Sequence, residues 1–281
     1  MTLHEMLTDP FILRILLRAA IVGVLVSLCA ALLGVNMVLK RYSMIGDGLS
    51  HIGFCAVAFS SLIGMADFSL EISVPLVVLA AVVLLRMSEN SKIKGDSAIA
   101  LLSTGAVALG YIFYNFDNKS AADVCNSLFG SASVITITDK DMVLSVALSV
   151  LVLGLFVLFY NKIFALSFDE NFCTAAGEKT RMYKLVLALL TGITVVVGMK
   201  MMGAILISAL VVFPAVTAMR VCKTFRGVVI CAGAISVCCF AVGFYAACRL
   251  SLQIGPTVVL ANVLALAVFS LTAPLMSHRR R

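Results

Sequence analysis

The chain alternates long uncharged apolar stretches with short polar connections. Six stretches have at least the length that a membrane-spanning helix needs, roughly 17–25 residues; they cover residues 19–39, 97–116, 142–161, 201–219, 227–248 and 250–277. Three shorter stretches reach that length when flanking residues extend to the interface; they cover residues 51–66, 72–85 and 185–199. The pattern predicts an all-α, polytopic integral membrane protein with about eight or nine transmembrane helices.

The number of spans depends on Lys200, which alone separates two apolar stretches. These stretches form either a very tight hairpin, which gives nine spans, or one broken helix, which gives eight. No connection is long enough to separate two folding units, so we expect a single transmembrane domain over residues 1–281. The first stretch is too long for the core of a signal peptide, so we expect it to remain in the protein.

Composition excludes the common soluble classes. Hydrophobic residues make up 62% of the chain and charged residues 12%, whereas soluble domains carry roughly 45–50% and about 25%. So few charges cannot cover so much apolar surface in water. Six of the nine cysteines lie inside apolar stretches, and no two have C-x-x-C spacing. We interpret those six as small buried hydrophobic residues: Cys29, Cys55, Cys231, Cys238, Cys239 and Cys248.

The basic residues indicate orientation rather than nucleic-acid binding. With nine spans and the N-terminus outside, 15 of the 21 lysines and arginines fall on the cytosolic side, as the positive-inside rule requires. The basic run 279–281 is then a cytosolic anchor at the lipid surface. Six acidic residues fall on the outer side, where they would attract cations: Asp67, Glu71, Asp117, Asp123, Asp139 and Asp141.

Two connections are long enough to contain structure of their own. In the outer connection 117–141, the semi-apolar part 124–138 is expected either to dip into the membrane or to lie on it. The inner connection 162–184 has Phe164, Phe168, Phe172 and Ala175 or Ala176 at helical spacing, with Asp169 and Glu170 near the start and Gly177 as a C-cap. We predict a short amphipathic helix parallel to the membrane, either an interfacial helix without a partner or a docking site for a cytosolic protein.

Asp47 and His51 open the second span and lie four residues apart, on one face of a helix. A carboxylate and an imidazole at this spacing either share a divalent cation or form an interfacial hydrogen bond that caps the helix. Ionisable groups in a span are costly, which favours a function. Two ligands do not close a metal site, but a symmetric dimer would supply four.

Two kinds of enzyme are excluded by the residues themselves. An intramembrane aspartyl protease needs a second aspartate inside another apolar stretch, and the chain has none. The segment 177–180, Gly-Glu-Lys-Thr, nearly matches a phosphate-binding loop, but Glu178 stands where the motif requires its second glycine. If ATP drives this protein, another subunit must bind it.

Four segments resemble, in order, the membrane subunits of zinc, manganese and iron ABC importers, the ABC-3 family. They are GVNMVLKRYSMIGDGLSH at 34–51, SFDENFCTAAG at 167–177, MGAILISALVVFPAVTA at 202–218 and GPT at 255–257. The chain differs from the family pattern at Asn36, where relatives usually carry an apolar residue. It also has Phe54 and Cys55 where relatives often have a proline kink.

The resemblance implies a permease of the type II, vitamin B12-importer-like architecture in a bacterial cytoplasmic membrane. Such a permease works as a homodimer around a central path, with a separate cytosolic ABC ATPase and an extracytoplasmic metal-binding protein. Zinc, manganese or iron would be cargo, and no cofactor is permanently bound. The resemblance assigns the ion contacts to Asp47 and His51. It assigns ATPase coupling to the 164–183 loop, through Phe168, Asp169, Glu170, Phe172 and Gly177.

Four further residues in the matching segments are candidates for helix kinks or close packing: Gly203, Pro214, Gly255 and Pro256. A secondary metal transporter or channel that needs no ATPase is the alternative. An energised carrier usually buries several ionisable groups along its path, and this chain buries few beyond Asp47 and His51. A structural membrane anchor would explain the spans but not the Asp–His pair.

Overall fold

A computed structural model of the chain describes residues 10–40, 43–90, 95–130, 139–250 and 252–278. The described elements are helices. In chain order they are α1 (Pro10–Leu39), α2 (Met44–Leu62), a 3-10 turn (Ala66–Phe68), α3 (Ser69–Asn90), α4 (Gly95–Phe116), α5 (Ala121–Phe129), α6 (Asp139–Leu158), α7 (Tyr160–Phe168), α8 (Glu170–Ala175), α9 (Thr180–Met202), α10 (Ala204–Val221), α11 (Phe225–Leu250) and α12 (Ile254–His278).

Helix ends sort into two faces of the bundle. Arg18 and Asp139 meet on one face, which we call the outer face, and Lys40 and Glu170 meet on the opposite one, which we call the inner face. These names follow the orientation that the basic residues predict. Within the described ranges, nine helices are long and apolar enough to cross a membrane, which confirms the polytopic all-α prediction.

The two stretches on either side of Lys200 form a tight hairpin, not a broken helix. Gly203, between α9 and α10, has φ +91°. A Cβ placed on Gly198 of α9 would lie 2.4 Å from Cδ1 of Ile207 of α10, so the two helices fold back on each other. Gly34, near the inner end of α1, touches Val211 of α10. The hairpin therefore gives α9 and α10 as two separate spans.

The centre of the bundle is α9, the most buried of the nine long helices, while α6 and α12 are the most exposed. Helix α9 contacts α1, α2, α3 and α10. Its hydroxyl groups are satisfied within the helix, because Thr191 and Thr194 donate to the carbonyls of Leu187 and Leu190. A helix that is apolar on all sides and capable of satisfying its own polar groups suits this central place.

The cysteines follow the prediction only in part. Cys29 and Cys239 are buried, and Cys55, Cys231 and Cys248 are half-buried, all as free thiols. The prediction is wrong for Cys238, which is exposed. It lies on the outward side of α11, in an apolar groove shared with α12. The apolar surroundings of Cys238 therefore belong to the surface of the protomer and not to its core.

The outer connection contains the short helix α5. Ser120 and Asp123 form a reciprocal capping box at its start, and Gly130 ends it in the left-handed conformation. The semi-apolar segment predicted at 124–138 is thus helical up to Phe129. Residues 131–138 lie outside the described ranges, so the predicted membrane dip remains a prediction.

Candidate functional site

Asp47 and His51 lie together on the exposed side of α2. Oδ2 of Asp47 and Nε2 of His51 are 3.7 Å apart, and the side chains are 43% and 23% exposed. They belong to a single exposed or half-exposed stripe that also includes Met44, Cys55 and Phe59. The pair therefore points away from the interior of its own protomer, toward whatever covers this side of α2.

Glycines on the opposite side of α2 explain this orientation. A Cβ on Gly48 would lie 2.7 Å from Cγ2 of Ile99 in α4, and one on Gly46 would lie 3.3 Å from Cγ1 of Val211 in α10. Without side chains there, α2 packs closely against its neighbours through that side. The polar side chains of Asp47 and His51 are left on the outward side.

One protomer supplies too few ligands for a closed metal site. Within the described ranges, no group of three or more His, Cys, Asp or Glu side chains is placed to hold an ion. Nδ1 of His51 is buried and makes no hydrogen bond to the described part of the chain. The 3.7 Å separation exceeds a hydrogen bond, so the two groups are adjacent without being joined. A ligand that contacts Oδ2 of Asp47 and Nε2 of His51 would give each of these two atoms a partner.

The predicted inner helix is broken at Asp169 into α7 and α8. Asp169 has extended backbone angles and its Oδ1 accepts a hydrogen bond from the backbone N–H of Phe172, so it caps α8. Gly177 follows α8 with φ +81°, as expected for a glycine just beyond a helix end. The predicted start near Asp169 and Glu170 and the predicted C-cap at Gly177 are therefore confirmed. The helical spacing does not continue back to Phe164, because Phe164 and Phe168 belong to α7.

Aromatic side chains of this segment, 160–178, lie on the inner face. Phe168 is 65% exposed and Phe172 is 69% exposed. Phe164 packs beside Phe168 with ring centroids 4.9 Å apart, and both rings lie near Phe225 at the start of α11. The segment, which we call the docking segment, thus offers exposed aromatic surface on a base anchored to the bundle.

The Glu170 carboxylate, although its side chain is 41% exposed, faces two lysines of the bundle. Its carboxylate binds Lys40, at 3.5 Å, and also Lys184 at the start of α9. Partial burial alone would raise the pKa of Glu170, but the hydrogen bond from Lys184 and the charges of Lys40 and Lys184 outweigh it and keep that pKa below its ordinary value. Glu170 is therefore an anchoring side chain, in contrast to Phe172 on the same short helix.

Both departures from the family pattern have a structural account. Asn36 is fully buried in α1, and its Oδ1 accepts a hydrogen bond from Oγ of Ser167 at 2.8 Å. Phe54 is buried against Tyr114 with ring centroids 5.4 Å apart. Helix α2 runs unbroken from Met44 to Leu62. The absence of a proline therefore leaves α2 continuous past His51.

Gly203 and Gly255 lie in one tightly packed junction at the outer face. A Cβ on Gly203 would lie 2.5 Å from the backbone N of Gly130, and one on Gly255 would lie 2.4 Å from the carbonyl of Phe129. This places both glycines where close packing was predicted. Pro214 is buried within the continuous helix α10, and Pro256 lies in the first turn of α12, where its missing N–H is not needed.

The sequence analysis did not identify partners for Lys200 and Arg18. Lys200 binds Asp141 at 2.8 Å and Arg18 binds Asp139 at 2.5 Å, both at the start of α6. It also missed Lys40 and Lys184 as partners of Glu170. The sequence does place these basic and acidic residues at the ends of predicted spans on the same side of the membrane. That placement indicates that they are near each other, but it does not specify which residues pair.

A sequence model described as the ABC 3 transport family matches residues 13–273. The manganese import system permease protein ScaB of Streptococcus gordonii is 29% identical over 264 residues, 94% of this chain and 93% of the relative. The manganese transport system membrane protein MntC of Listeria innocua is 28% identical over 92% of this chain and 90% of its own. The high-affinity zinc uptake system membrane protein ZnuB of Haemophilus influenzae is 26% identical over 75% and 79%.

Solved structures agree with the fold. PsaBC from Streptococcus pneumoniae, in complex with Fab, superposes with a TM-score of 0.81 at 25% identity, over 95% of this chain and 93% of the other. An inward-facing metal-chelate type ABC transporter superposes with a TM-score of 0.68 at 15% identity, over 90% and 86%. The second likeness concerns the fold alone.

Proposed function

The chain belongs to the ABC 3 transport family, and we propose that it is the transmembrane permease subunit of an ATP-driven importer for divalent transition-metal ions. Relatives that align with nearly its whole length are named as manganese permeases, and one with three quarters of it as a zinc permease. A permease needs spanning helices, a path lined by groups that bind the cargo, and surfaces for its partners. The following paragraphs give the residues that support each part.

The cargo contacts are Asp47 and His51. A carboxylate oxygen and an imidazole nitrogen together suit zinc, manganese and ferrous iron, so the pair selects this group of ions without choosing among them. The ion is cargo and no cofactor is held permanently. The separation of 3.7 Å between Oδ2 and Nε2 leaves the two groups free to turn toward an ion. Conduction also requires that the ion leave again, which a site of few ligands favours.

The observation that carries the proposal is that the pair lies on the outward stripe of α2 and not inside the protomer. In a homodimer with the two stripes facing each other, two copies supply two carboxylates and two imidazoles around the axis. A symmetric interface brings the same patch of both subunits together. The translocation path then runs along the dimer axis, and each protomer supplies half of the ligands.

The energy source is a partner ATPase. The segment 177–180 lacks the second glycine of a phosphate-binding loop, so we assign ATP hydrolysis to a separate cytosolic ABC subunit. Phe168 and Phe172 are more than half exposed on the inner face, and large exposed aromatic side chains are typical anchors of protein interfaces. We place the ATPase on the docking segment, with one ATPase for each protomer.

The orientation follows from the basic residues. Fifteen of 21 lie on the inner side when the N-terminus is outside and the C-terminus is cytosolic. A bacterial cytoplasmic membrane with an extracytoplasmic metal-binding protein on the outer face fits this arrangement. The outer face has a polar recess of about 370 Å³ bordered by Ser61, Tyr114 and Asp123, which offers hydrogen-bonding groups to such a protein.

The test is metal uptake into proteoliposomes that contain the permease and its ATPase, with ATP inside and the metal-binding protein outside. We expect uptake of manganese or zinc to require ATP. Asp47→Ala and His51→Ala should each slow uptake by at least about tenfold, the scale of perturbed metal sites. Leu101→Ala, which truncates an exposed apolar side chain of α4 away from this stripe, is the control and should leave uptake unchanged.

Three outcomes contradict the proposal in different ways. Uptake at the wild-type rate by Asp47→Ala or His51→Ala removes the ligand role while leaving the permease function intact. Uptake that proceeds without ATP favours the ATP-independent transporter or channel. A protein that stays monomeric in cross-linking experiments on the active proteoliposomes removes the shared four-ligand site.

A further inference from the structure

Two cysteines meet on the inner face, where the chain passes from α10 to α11. Cys222 directly follows α10, and Cys231 lies in the second turn of α11. Their thiols are close enough to interact through a hydrogen bond. The thiolate is the form of cysteine that binds metal ions, so two neighbouring thiols offer two ligands to one ion. The proposed function gives this pair no task.

The start of α11 explains why the two thiols meet. Gly227 and Cys231 lie one turn apart and therefore on the same side of α11. A Cβ on Gly227 would lie 3.4 Å from Cβ and 3.6 Å from Sγ of Cys222, so the Cys222 side chain lies against this side of the helix. Thr224 fixes the first turn, because its hydroxyl accepts a hydrogen bond from the backbone N–H of Gly227. The short connection thus holds the two sulfur atoms beside each other.

A small ion can reach this pair. Cys222 and Cys231 are free thiols and are half-buried, and both pack against the apolar core. By contrast, Cys29 is fully buried and suits the role of a small apolar residue. The pair is therefore accessible from the inner face while its position is fixed by packing.

The number and kind of ligands determine which ions fit. In the part of the chain that the structure describes, no third His, Cys, Asp or Glu completes a group with this pair. Manganese prefers oxygen ligands, and zinc sites normally have three or four protein ligands. Soft monovalent ions such as Cu(I) favour sulfur and accept as few as two ligands. The two thiols therefore suit this class of ion better than the cargo ions.

The charges near the pair also favour a monovalent ion. Binding of one Cu(I) to two thiolates releases both thiol protons, and the resulting complex carries one negative charge. Three exposed basic residues lie within five positions of Cys222 in the sequence: Arg220, Lys223 and Arg226. Their positive charges repel a divalent cation more strongly than a monovalent one, and they stabilise the anionic complex.

We propose that Cys222 and Cys231 form a two-thiolate binding site for a soft monovalent cation, Cu(I), at the inner ends of α10 and α11. Its ligands differ from the cargo contacts, Asp47 and His51. The inference does not depend on the proposed function, because it concerns an ion that the purified chain binds and not an ion that it transports.

The test is competition for Cu(I) between the purified, reduced protein and the chromogenic chelator bicinchoninate, without oxygen. Transfer of Cu(I) to the protein removes the colour of the chelator complex. The wild type is compared with Cys222→Ser, Cys231→Ser and the double variant. Cys125→Ser is the matched control, because it removes an exposed thiol of α5 on the outer face. Helical circular dichroism shows whether each variant is folded.

We expect each single variant to bind one Cu(I) at least about a hundredfold more weakly than the wild type, since loss of a ligand should cost at least as much as loss of an outer partner. The double variant should be no weaker than either single variant, because all three lack the same site. Binding by the wild type should release two protons into a weakly buffered solution. Cys125→Ser should keep the wild-type affinity.

Four results overturn the inference. Wild-type affinity in either single variant removes the site, and additive weakening in the double variant shows two independent thiols. Zinc held by the pair as tightly as Cu(I) contradicts the assigned class of ion. A disulfide between the two cysteines under the reducing conditions, detected by mass spectrometry, leaves no thiolates to bind an ion. None of these results bears on the proposed function, which metal uptake in proteoliposomes tests separately.

Discussion

Nζ of Lys200 lies 2.8 Å from Oδ1 of Asp141, so the last turn of α9 is fastened to the first turn of α6. The side chains are only 17% and 13% exposed. The pair closes the outer end of the bundle beside the turn at Gly203. Since Lys200 lies at the boundary between two apolar stretches, its charge is placed where it has both a partner and access to the interface.

Removing one member of this pair should destabilise the protein. Lys200→Met leaves the Asp141 carboxylate largely buried and without its lysine, and breaking a buried pair costs about 3 kcal/mol or more. Lys119→Met is the control, because its pair with Asp117 is more exposed and should contribute no more than about 1 kcal/mol. Unfolding in detergent, followed by the loss of helical circular dichroism, measures both. Equal losses in the two variants would contradict the prediction.

Gly203 should tolerate no side chain. Its φ of +91° and ψ of 156° are restricted almost entirely to glycine, and a Cβ there would lie 2.5 Å from the backbone of Gly130. We expect Gly203→Ala to cost about 3 kcal/mol or to prevent folding. Gly154→Ala is the matched variant, because it lies in α6 with no atom within 4 Å of a new Cβ and should be neutral or stabilising. Yield and melting temperature of the purified proteins distinguish the two.

The packing of Gly48 on Ile99 should control the position of Asp47. Gly48→Ala places a methyl group 2.7 Å from Cγ2 of Ile99, and such overpacking typically costs about 1–3 kcal/mol. Ile99→Ala removes that atom, so the double variant should be more stable than the sum of the single changes predicts. Gly48→Ala should also slow metal uptake, and the double variant should regain part of that uptake together with its stability. Additive effects on melting temperature would show that the two positions do not contact each other.

Phe172 should be needed for ATPase binding but not for folding. Its ring is 69% exposed, and loss of an aromatic anchor at an interface typically costs about 2 kcal/mol or more. Phe172→Ala should therefore weaken binding of the ATPase by about thirtyfold while leaving the melting temperature unchanged. Phe116→Ala, an equally exposed ring at the end of α4, is the control. Binding is measured by titration of the detergent-purified permease, and an unchanged affinity would refute the docking role.

The ion pairs of Glu170 should make stability depend on pH in the acidic range. Because the pKa of Glu170 is lower in the folded protein than its ordinary value of 4.5, its contribution is complete above that value. It is lost as the pH falls through the lower folded pKa. The difference in melting temperature between wild type and Glu170→Gln should therefore be constant near neutrality and shrink below about pH 4.5. A difference that grows on acidification would have the wrong sign.

The spans were predictable because the apolar stretches are long and uncharged, and the end of α1 at Leu39 agrees with the sequence pattern. The hairpin at Gly203 was one of two alternatives, since a lone lysine between two apolar stretches is compatible with both a turn and a broken helix. Only the contacts of Gly198 and Val211 with other helices distinguish them. The choice between a hairpin and a broken helix therefore depends on packing between helices, which the local sequence pattern does not show.

The site was predicted less completely. The spacing of Asp47 and His51 indicated one face of a helix, but whether that face points inward or outward depends on Gly46 and Gly48 packing against α10 and α4. The periodicity of Phe164, Phe168 and Phe172 predicted one helix, whereas the cap formed by Asp169 ends α7 and begins α8. Lys40 was beyond reach as a partner of Glu170, because a pair separated by 130 positions leaves no local trace.

The one-residue turn at Gly203 has a mechanical consequence. With a single residue between them and Gly130 packed against it, α9 and α10 are held at a fixed distance at their outer ends. If these two helices move relative to each other, the motion is a hinge rotation about their outer ends. The largest displacement then falls at the opposite end of the pair, near the start of α9 at Thr180.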